Sequence, residues 1–510
     1  MRAHRAVIAL SILAFLTLAY IFFPESIDDA YITLRFSNNM ALGYGPIFNI
    51  GEKVEGYSNF SWMVLLAFVG WAGIPMEMAM KFLGLFSGLG VLLFVWKISA
   101  CRFKSGLAVV APLLLLGTGS FFALWAVDGL ETMFYTMLLT SLVYALASKN
   151  TNTLLIGLIA GLVALTRPEG ILFSLIAVSF LSFNNGLRSG LKALGLVAFF
   201  AGGYELFRIF YFGEFVSNTA LAKVHMGVNT ALNGLRYLYT YNADSGFFLL
   251  PVAFAGAIAS KKDPKLLIPI VFILAQVVFL MVSGGDFMYG YRFMIPVVPC
   301  IVLLCAYAIE AVNIRVNLTA ALLLLILTVT TQSYYQYAHL PAKHVGFDNL
   351  TFRTSPLFNV AAFLDQRSGP DDWILLSEAG VIPFYVEAKI LDYMGLVTPF
   401  NAVYNQNGRL NSDYLFSFRP KFVVISFVET NDNLIYPRMG RDVEILNNPK
   451  FSAYKHVQNF EIPNGLSFLN TIYYKVLPVT NRYPRQGIKR IFFAVFERES
   501  GTEPHADIAP

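Results

Sequence analysis

Long apolar runs separated by short polar corners dominate the first two thirds of the chain. They fall near residues 6–23, 76–97, 107–122, 131–147, 152–166, 170–183, 190–211, 247–260, 266–283, 292–311 and 316–333. A bilayer crossing takes roughly 20 mostly apolar residues, so each run predicts a transmembrane helix. The run 59–74 is briefer and carries Asn59, Ser61 and two Trp. From about residue 334 the pattern changes. Short β-rich segments at 373–377, 421–427, 471–476 and 491–496 alternate with polar stretches. That alternation predicts a small α/β domain over 334–498, with a disordered tail over 499–510. No internal repeat is visible.

Composition agrees with lipid as the main solvent. The 510 residues are 56% hydrophobic and only 14% charged, against roughly 25% charged in soluble domains. The 46 Phe and 26 Tyr suit lipid-facing surfaces and interfacial belts. The formal charge of +5 is modest, and no basic run points to nucleic acid. Cys101, Cys300 and Cys305 sit in or beside apolar runs and form neither a disulfide framework nor a zinc spacing. The N-terminal MRAHR and the apolar run to Phe23 lack a small-residue cleavage site, which predicts a retained anchor helix.

Basic residues set the orientation. Arg2 and Arg5, Lys97, Arg102 and Lys104, Lys149, Arg188 and Lys192, Lys261, Lys262 and Lys265, and Arg315 all fall on the cytoplasmic side if 59–74 is interfacial or re-entrant. With 59–74 as a full crossing, the parity fails from Lys97 onward. The reading is eleven crossings, with the N-terminus inside, the C-terminus outside, and the first outer loop at 24–75. This describes a polytopic membrane protein whose domain 1–333 is transmembrane. The same parity puts Asp28, Asp29, Glu55, Asp128, Glu131, Glu169, Asp244 and Asp286 at outer ends or in outer loops. A solvated rim would explain this, as would loops converging on a site.

The first outer loop carries the most chemistry. Asp28-Asp29 opens a stretch with Ile32, Leu34, Arg35 and Phe36 at mixed helical spacing, which predicts a juxtamembrane helix. One Asp could cap that helix. Adjacent carboxylates raise one another's pKa, which suits a general base or a metal site. Arg35, about two turns on, pairs with an Asp or binds an anion. Ser58 or Asn59 caps the interfacial helix. Three further corners concentrate charge at membrane level, where it is costly. They are Trp125 to Thr132 with Asp128 and Glu131, Thr166 to Gly170 with Arg167 and Glu169, and Gly284 to Pro296 with Asp286 and Arg292. Intramolecular pairs, Arg167–Glu169 or Asp286–Arg292, compete there with binding of a sugar on a lipid phosphate. A longer outer loop, 212–246, brings Lys223 and His225 as weaker phosphate contacts.

Taken in order, these motifs resemble the signature of GT-C polyprenyl-phosphate-sugar-dependent glycosyltransferases, above all the mycobacterial terminal β-(1→2)-arabinofuranosyltransferase family. The similarity lies in Asp28 to Arg35, Gly43 to Trp62, Gly129 to Thr132, Thr166 to Gly170, Gly284 to Pro296, and Asp392 to Thr398. Asp128 departs from the family, which carries a small or hydroxyl residue there. The last hundred residues show no specific match. The resemblance implies a transmembrane bundle topped by an outer soluble domain, with the catalytic Asp in the first outer loop. It also implies a lipid-linked sugar donor, such as decaprenyl-phosphoryl arabinofuranose.

The expected activity is sugar transfer from a polyprenyl phosphate to an extracytoplasmic or outer-leaflet glycan, lipid or protein. Asp28 or Asp29 is the expected catalytic residue. Substrate binding is expected from Arg35, Glu55, Tyr57, Asn59, Glu131, Arg167, Glu169, Lys223, His225, Asp286 and Arg292. The phosphate leaves already ionised, so no cofactor is required; a divalent metal is compatible with the carboxylates. A transporter or flippase of a lipid-linked sugar is the rival. Transporters place binding residues near the midplane, whereas these charges lie at the ends of the spans. A third reading, a membrane scaffold for the outer domain, leaves the acidic corners unexplained.

Overall fold

The structure is a computed structural model, and it describes residues 2–24, 26–148, 151–223, 227–259, 267–340, 356–405, 408–461 and 488–499. The apolar runs form helices. In chain order these begin with α1 (Arg2–Phe22), α2 (Asp28–Ala41), α3 (Phe60–Trp71), α4 (Met76–Arg102), α5 (Gly106–Gly117) and α6 (Ser120–Leu124). They continue with α7 (Thr132–Ala147), α8 (Thr153–Thr166), α9 (Gly170–Asn185), α10 (Leu187–Val197), α11 (Gly203–Phe212) and α12 (Asn218–Lys223). The last in this region are α13 (Val228–Asp244), α14 (Leu249–Ala259), α15 (Leu267–Ser283), α16 (Val298–Arg315) and α17 (Leu318–His339). A single π-helical turn, Ala198–Gly202, joins α10 to α11 into one continuous span.

Five helices among the described residues are long and apolar enough to cross a membrane, and a sixth arises if α13 and α14 form one broken span. Six shorter apolar helices of 12–17 residues pack between them. The chain is therefore a multi-pass membrane protein. The core of the bundle is α16, whose Cys300, Cys305, Ile301 and Leu303 are buried. The two cysteines thus pack, as expected.

The segment 59–74 forms α3, whose 12 residues reach only about 18 Å at 1.5 Å per residue, short of a bilayer. The segment 212–246 differs from expectation. It is not an open loop but carries α12 and α13, and α13 turns by 99° into α14. Gly234, Tyr237 and Tyr241 face inward on α13 while Val228, Leu232, Leu235 and Tyr239 face outward. Both sets follow helical spacing, which a search for unbroken apolar runs passes over.

Beyond the bundle lie α18 (Pro356–Asp365), β1 (Trp373–Leu376), α19 (Val381–Tyr385), β2 (Lys389–Asp392), α20 (Phe400–Val403), α21 (Ser412–Ser417) and β3 (Phe422–Thr430). They are followed by β4 (Ile435–Pro437), α22 (Gly440–Leu446), β5 (Tyr454–Glu461) and β6 (Ile488–Arg498). The strands make one sheet in the order β2-β1-β3-β6-β5, with β4 on the end of β3. β2 and β3 both run parallel to β1, while β6 is antiparallel to β3. The strand expected at 471–476 and the tail from 500 lie outside the described residues.

Alternation along the strands divides the sheet's two faces. Ile374, Leu376, Phe422 and Val424 join Ile382 of α19 and Ile32 and Phe36 of α2 in one cluster. Leu375, Leu391, Val423 and Ile425 join α20 and α21 in another. So α2 lies between the helical bundle and the sheet, and the sheet rests on it through α19. Asn49 closes the edge. Its amide accepts from Ile390 N and donates to Ile390 O, both at 2.9 Å, imitating the strand that β2 lacks.

Candidate active site

Asp28 and Arg35 lie on one face of α2, seven residues apart. Neither Asp28 nor Asp29 caps α2, whose N-cap is Ile27 with no side-chain bond. Asp28 instead caps α19. Its Oδ2 accepts from Gly380 N at 2.9 Å and its Oδ1 from Val381 N at 2.7 Å. The expected capping role is real but serves a helix more than 350 residues away. Burial pushes the Asp28 carboxyl up to about 8, with Glu378 adding to the rise and the Val381 N–H opposing it.

Arg35 corrects an expectation. Its guanidinium neither pairs with an Asp nor faces an anion. It is buried and donates to the carbonyls of Phe48 (2.9 Å), Pro383, Val386 (3.2 Å) and Ala388 (3.0 Å). The last three lie in and beyond the final turn of α19. An acidic side chain thus accepts from the N–H groups at the helix's N-terminus, and a basic one donates to carbonyls at its C-terminus. With Asp28 committed, Asp29 is the other carboxylate of the pair, in the first turn of α2.

The corners at the sheet-facing end of the bundle converge around α2. Gly129, with φ +105°, lets the 125–131 turn close onto it; a Cβ there would sit 2.8 Å from Met80 Sδ and 3.1 Å from Ala30 Cβ. Trp62 Nε1 donates to Gly129 O at 3.2 Å, and Trp125 Nε1 donates to Gly290 O at 2.8 Å. Asn59 sits at the N-cap of α3, as expected, but makes no cap bond. Its amide donates to Thr33 Oγ1 (3.1 Å) and Glu131 Oε2 (2.9 Å), tying α2 to the second corner.

Arg167 lies between two acids. It donates to Glu131 Oε1 and Glu169 Oε1, both at 2.5 Å, and its guanidinium lies 5.1 Å from the Phe293 ring centre. All three charged groups are buried. Arg167 as a phosphate ligand is therefore corrected: two carboxylates already neutralise it and would repel an anion. Glu131 and Glu169 are likewise taken up by this pairing. Asp286 Oδ2 and Arg292 Nε lie 2.7 Å apart but out of line for a hydrogen bond. Of the three arginines invoked for phosphate, Arg292 has the fewest partners among the described residues.

One group at this end escaped the sequence reading, and another entered it only as part of a charged corner. Lys81 of α4 is buried, and its Nζ donates to Phe23 O (2.9 Å) and Val127 O (3.0 Å). Asp128 is buried, and its Oδ2 finds no hydrogen-bond partner. Burial holds its carboxyl well above the usual range, although Lys81 and Arg292 are near enough to oppose the shift. A lone Lys in an apolar run was the available signal for Lys81.

Glu55 and Tyr57 belong to a different neighbourhood. Glu55 accepts from Arg208 Nε at 2.6 Å and from the Tyr204 hydroxyl. It does not support the Asp pair, because α11 claims its carboxylate. Tyr57 is buried edge-on against Phe36, ring centres 4.9 Å apart. Nearby, Asn218 Nδ2 donates to the carbonyls of Gly395, Leu396 and Thr398, each at 2.9 Å, and Asn218 Oδ1 accepts from Phe400 N at 2.7 Å. The Asp392 motif is a turn built on one carboxylate, which accepts from the N–H groups of Met394, Leu396 and Val397. Burial still lifts Asp392 to about 6. His225 lies outside the described residues, as does the side chain of Lys223. No group of three or more His, Cys, Asp or Glu among the described residues is placed to hold a metal ion.

Residues 348–481 match a family described as a domain of unknown function (DUF8728). The chain is 26% identical over 319 residues to a terminal beta-(1→2)-arabinofuranosyltransferase of Mycobacterium tuberculosis, covering 53% of this chain and 50% of that protein. It is 28% identical over 327 residues to the Corynebacterium glutamicum protein of the same name, covering 53% and 46%. The chain thus spans about half the length of the curated relatives it matches. ArnT from Cupriavidus metallidurans bound to undecaprenyl phosphate superposes with a TM-score of 0.52 at 13% identity, over 96% of this chain and 97% of that one. At that identity the likeness concerns the fold alone. The resemblance read from the motifs is borne out: the curated relatives are terminal arabinofuranosyltransferases, and the fold is like that of ArnT.

Proposed function

We propose that this protein is a membrane glycosyltransferase that moves a sugar from a polyprenyl-phosphate donor to a hydroxyl of an extracytoplasmic cell-envelope acceptor. Arabinofuranose is the sugar suggested by the relatives. The observation that carries the reading is the placement of Asp29. It stands at the sheet-facing end of the bundle, next to a carboxylate fixed by α19 and beside a corner that holds Lys81, Asp128 and Glu131. The sheet lies outside the membrane in this proposal, over 334–498, with the transmembrane part over 1–333.

The chemistry is a displacement at the anomeric carbon. The acceptor oxygen forms the new C–O bond as the bond to the phosphate oxygen breaks. Asp29 takes the acceptor's proton, and the polyprenyl phosphate leaves as an anion that needs no proton. Arg292 faces that phosphate, because Asp286 alone lies within ion-pair distance of it, against the two carboxylates bonded to Arg167. Arg35, Glu131, Arg167 and Glu169 hold the framework, and Glu55 and Tyr57 support the loop that leads into α3.

Purified protein given labelled polyprenyl-phosphate sugars and candidate acceptors tests this. Asp29→Asn is expected to lower kcat by about 10²- to 10⁴-fold, the usual contribution of a positioned base. Undiminished transfer by Asp29→Asn would remove it as the base. Absence of transfer from every donor would overturn the reading.

A further inference from the structure

The sheet has a feature that the first-loop signature does not explain. β1 lies between β2 and β3, both parallel to it. The chain leaves β1 through α19 on one face and leaves β2 through α20 and α21 on the other. In such open sheets, ligands bind at the carboxyl ends of the strands where the connections diverge. Here that crevice lies past Leu376, and its first residues are Ser377 and Glu378.

The charged groups at this point face each other. Arg438 follows β4, and its N–H donates to Ser426 O at 2.9 Å, which holds it beside the middle of β3, where the shorter β1 has already ended. Its guanidinium meets the Glu378 carboxylate at 3.2 Å, and both side chains keep about a fifth of their surface exposed. Continuing the parallel register of Ile374 with Phe422 brings Glu378 level with Ser426. The Ser426 hydroxyl is buried without a hydrogen-bond partner. Asp442 secures the far wall by accepting from the Tyr393 hydroxyl at 2.6 Å and from Met439 N at 2.8 Å. Glu378 stands two residues before Gly380, whose N–H binds Asp28. The crevice therefore adjoins the acidic pair from the sheet side.

We propose that Glu378 and Arg438 form the acceptor subsite, binding neighbouring hydroxyls of a carbohydrate and presenting another to Asp29. The inference rests on the glycosyltransferase reading. A carboxylate accepts from two hydroxyls of a diol, and the fork of a guanidinium donates to their oxygens. A lipid-linked donor is confined to the membrane side by its tail, so the crevice on the sheet side takes the water-soluble partner. The carboxylate and the cation together recognise a neutral polyol, because an anion or a cation would meet a like charge. Glu378 and Arg438 are positioning and specificity residues in this scheme, and Asp29 remains the base.

Full-length protein in nanodiscs decides the point. Glu378→Gln and Arg438→Met are expected to raise the acceptor KM about tenfold or more, the loss of one charge-assisted hydrogen bond. Arg438→Lys should recover part of the acceptor KM. A fall in kcat with acceptor KM unchanged would mean a structural role and overturn the proposal. Saturation-transfer NMR with a synthetic octyl pentofuranosyl disaccharide gives a readout independent of turnover. Binding lost in Glu378→Gln supports the subsite even if no donor is turned over, a result that would sink the glycosyltransferase reading alone. Equal binding by wild type and variant overturns the subsite.

Discussion

Asp28 and Arg35 hold opposite ends of the same five-residue helix, α19, from positions seven residues apart on α2. The contact joins the first loop to the sheet through two side chains that meet backbone groups of the α19 segment. Arg35 supplies it with four carbonyl contacts, three of them on the α19 segment. Arg35→Ala should strand these acceptors and cost on the order of 3 kcal/mol. Arg35→Lys should recover little, since a compact ammonium cannot span the fork's reach. Thermal unfolding and limited proteolysis of the sheet measure this. A lysine variant as stable as wild type would contradict it.

The Asp28 contact should depend on pH. The folded carboxyl keeps its proton up to about 8, against 3.8 when unperturbed. Between those values the folded state binds the extra proton, so stability falls as pH rises. The contribution is complete below about 3.8 and lost as pH passes through about 8. Hydrogen exchange at the Val381 amide should therefore speed up between pH 6 and 9, beyond the intrinsic effect of base. Asp28→Asn should flatten that excess. An identical excess in both proteins would exclude Asp28 as its source.

Gly380 tests how closely α2 and α19 must approach. A Cβ at this position would fall on the Asp28 carbonyl oxygen and 2.5 Å from Asp28 Cγ. Gly380→Ala is expected to pry the two helices apart, lowering the melting temperature and the transfer rate together. Tolerance of alanine with full activity would show that the seam can open without consequence.

The Arg167 clamp is expected to be structural. Arg167→Met leaves Glu131 and Glu169 buried and unneutralised, at a cost of about 3–5 kcal/mol. Adding Glu131→Gln and Glu169→Gln should restore part of it. Detergent-solubilised thermal stability reads both variants. Failure of the triple variant to improve on Arg167→Met would argue for a role beyond neutralisation.

Sequence and structure divide along physical lines in this protein. Apolar length alone located the helices, because lipid demands it. It overlooked α13, whose apolar residues are spaced one turn apart instead of in a run. Charged corners were visible because charge at membrane level is expensive. Their internal pairing at Arg167 was foreseen as one alternative, and Glu131 joined it only in three dimensions. The partners of Arg35, Lys81 and Asn218 were hidden for a common reason. The partners described for them are backbone groups, which every residue carries and no motif marks.

The acidic pair shows where the boundary falls. The sequence by itself determined that two adjacent carboxylates stand where the first helix ends. It could not divide their roles, since both are Asp at neighbouring positions with the same local propensity. Tertiary structure distinguishes their surroundings by bringing the amides of Gly380 and Val381 onto Asp28. A carboxylate whose two oxygens each accept a backbone N–H is committed to holding the fold. Asp29, 100° further round the helix, is the one we propose for the chemistry.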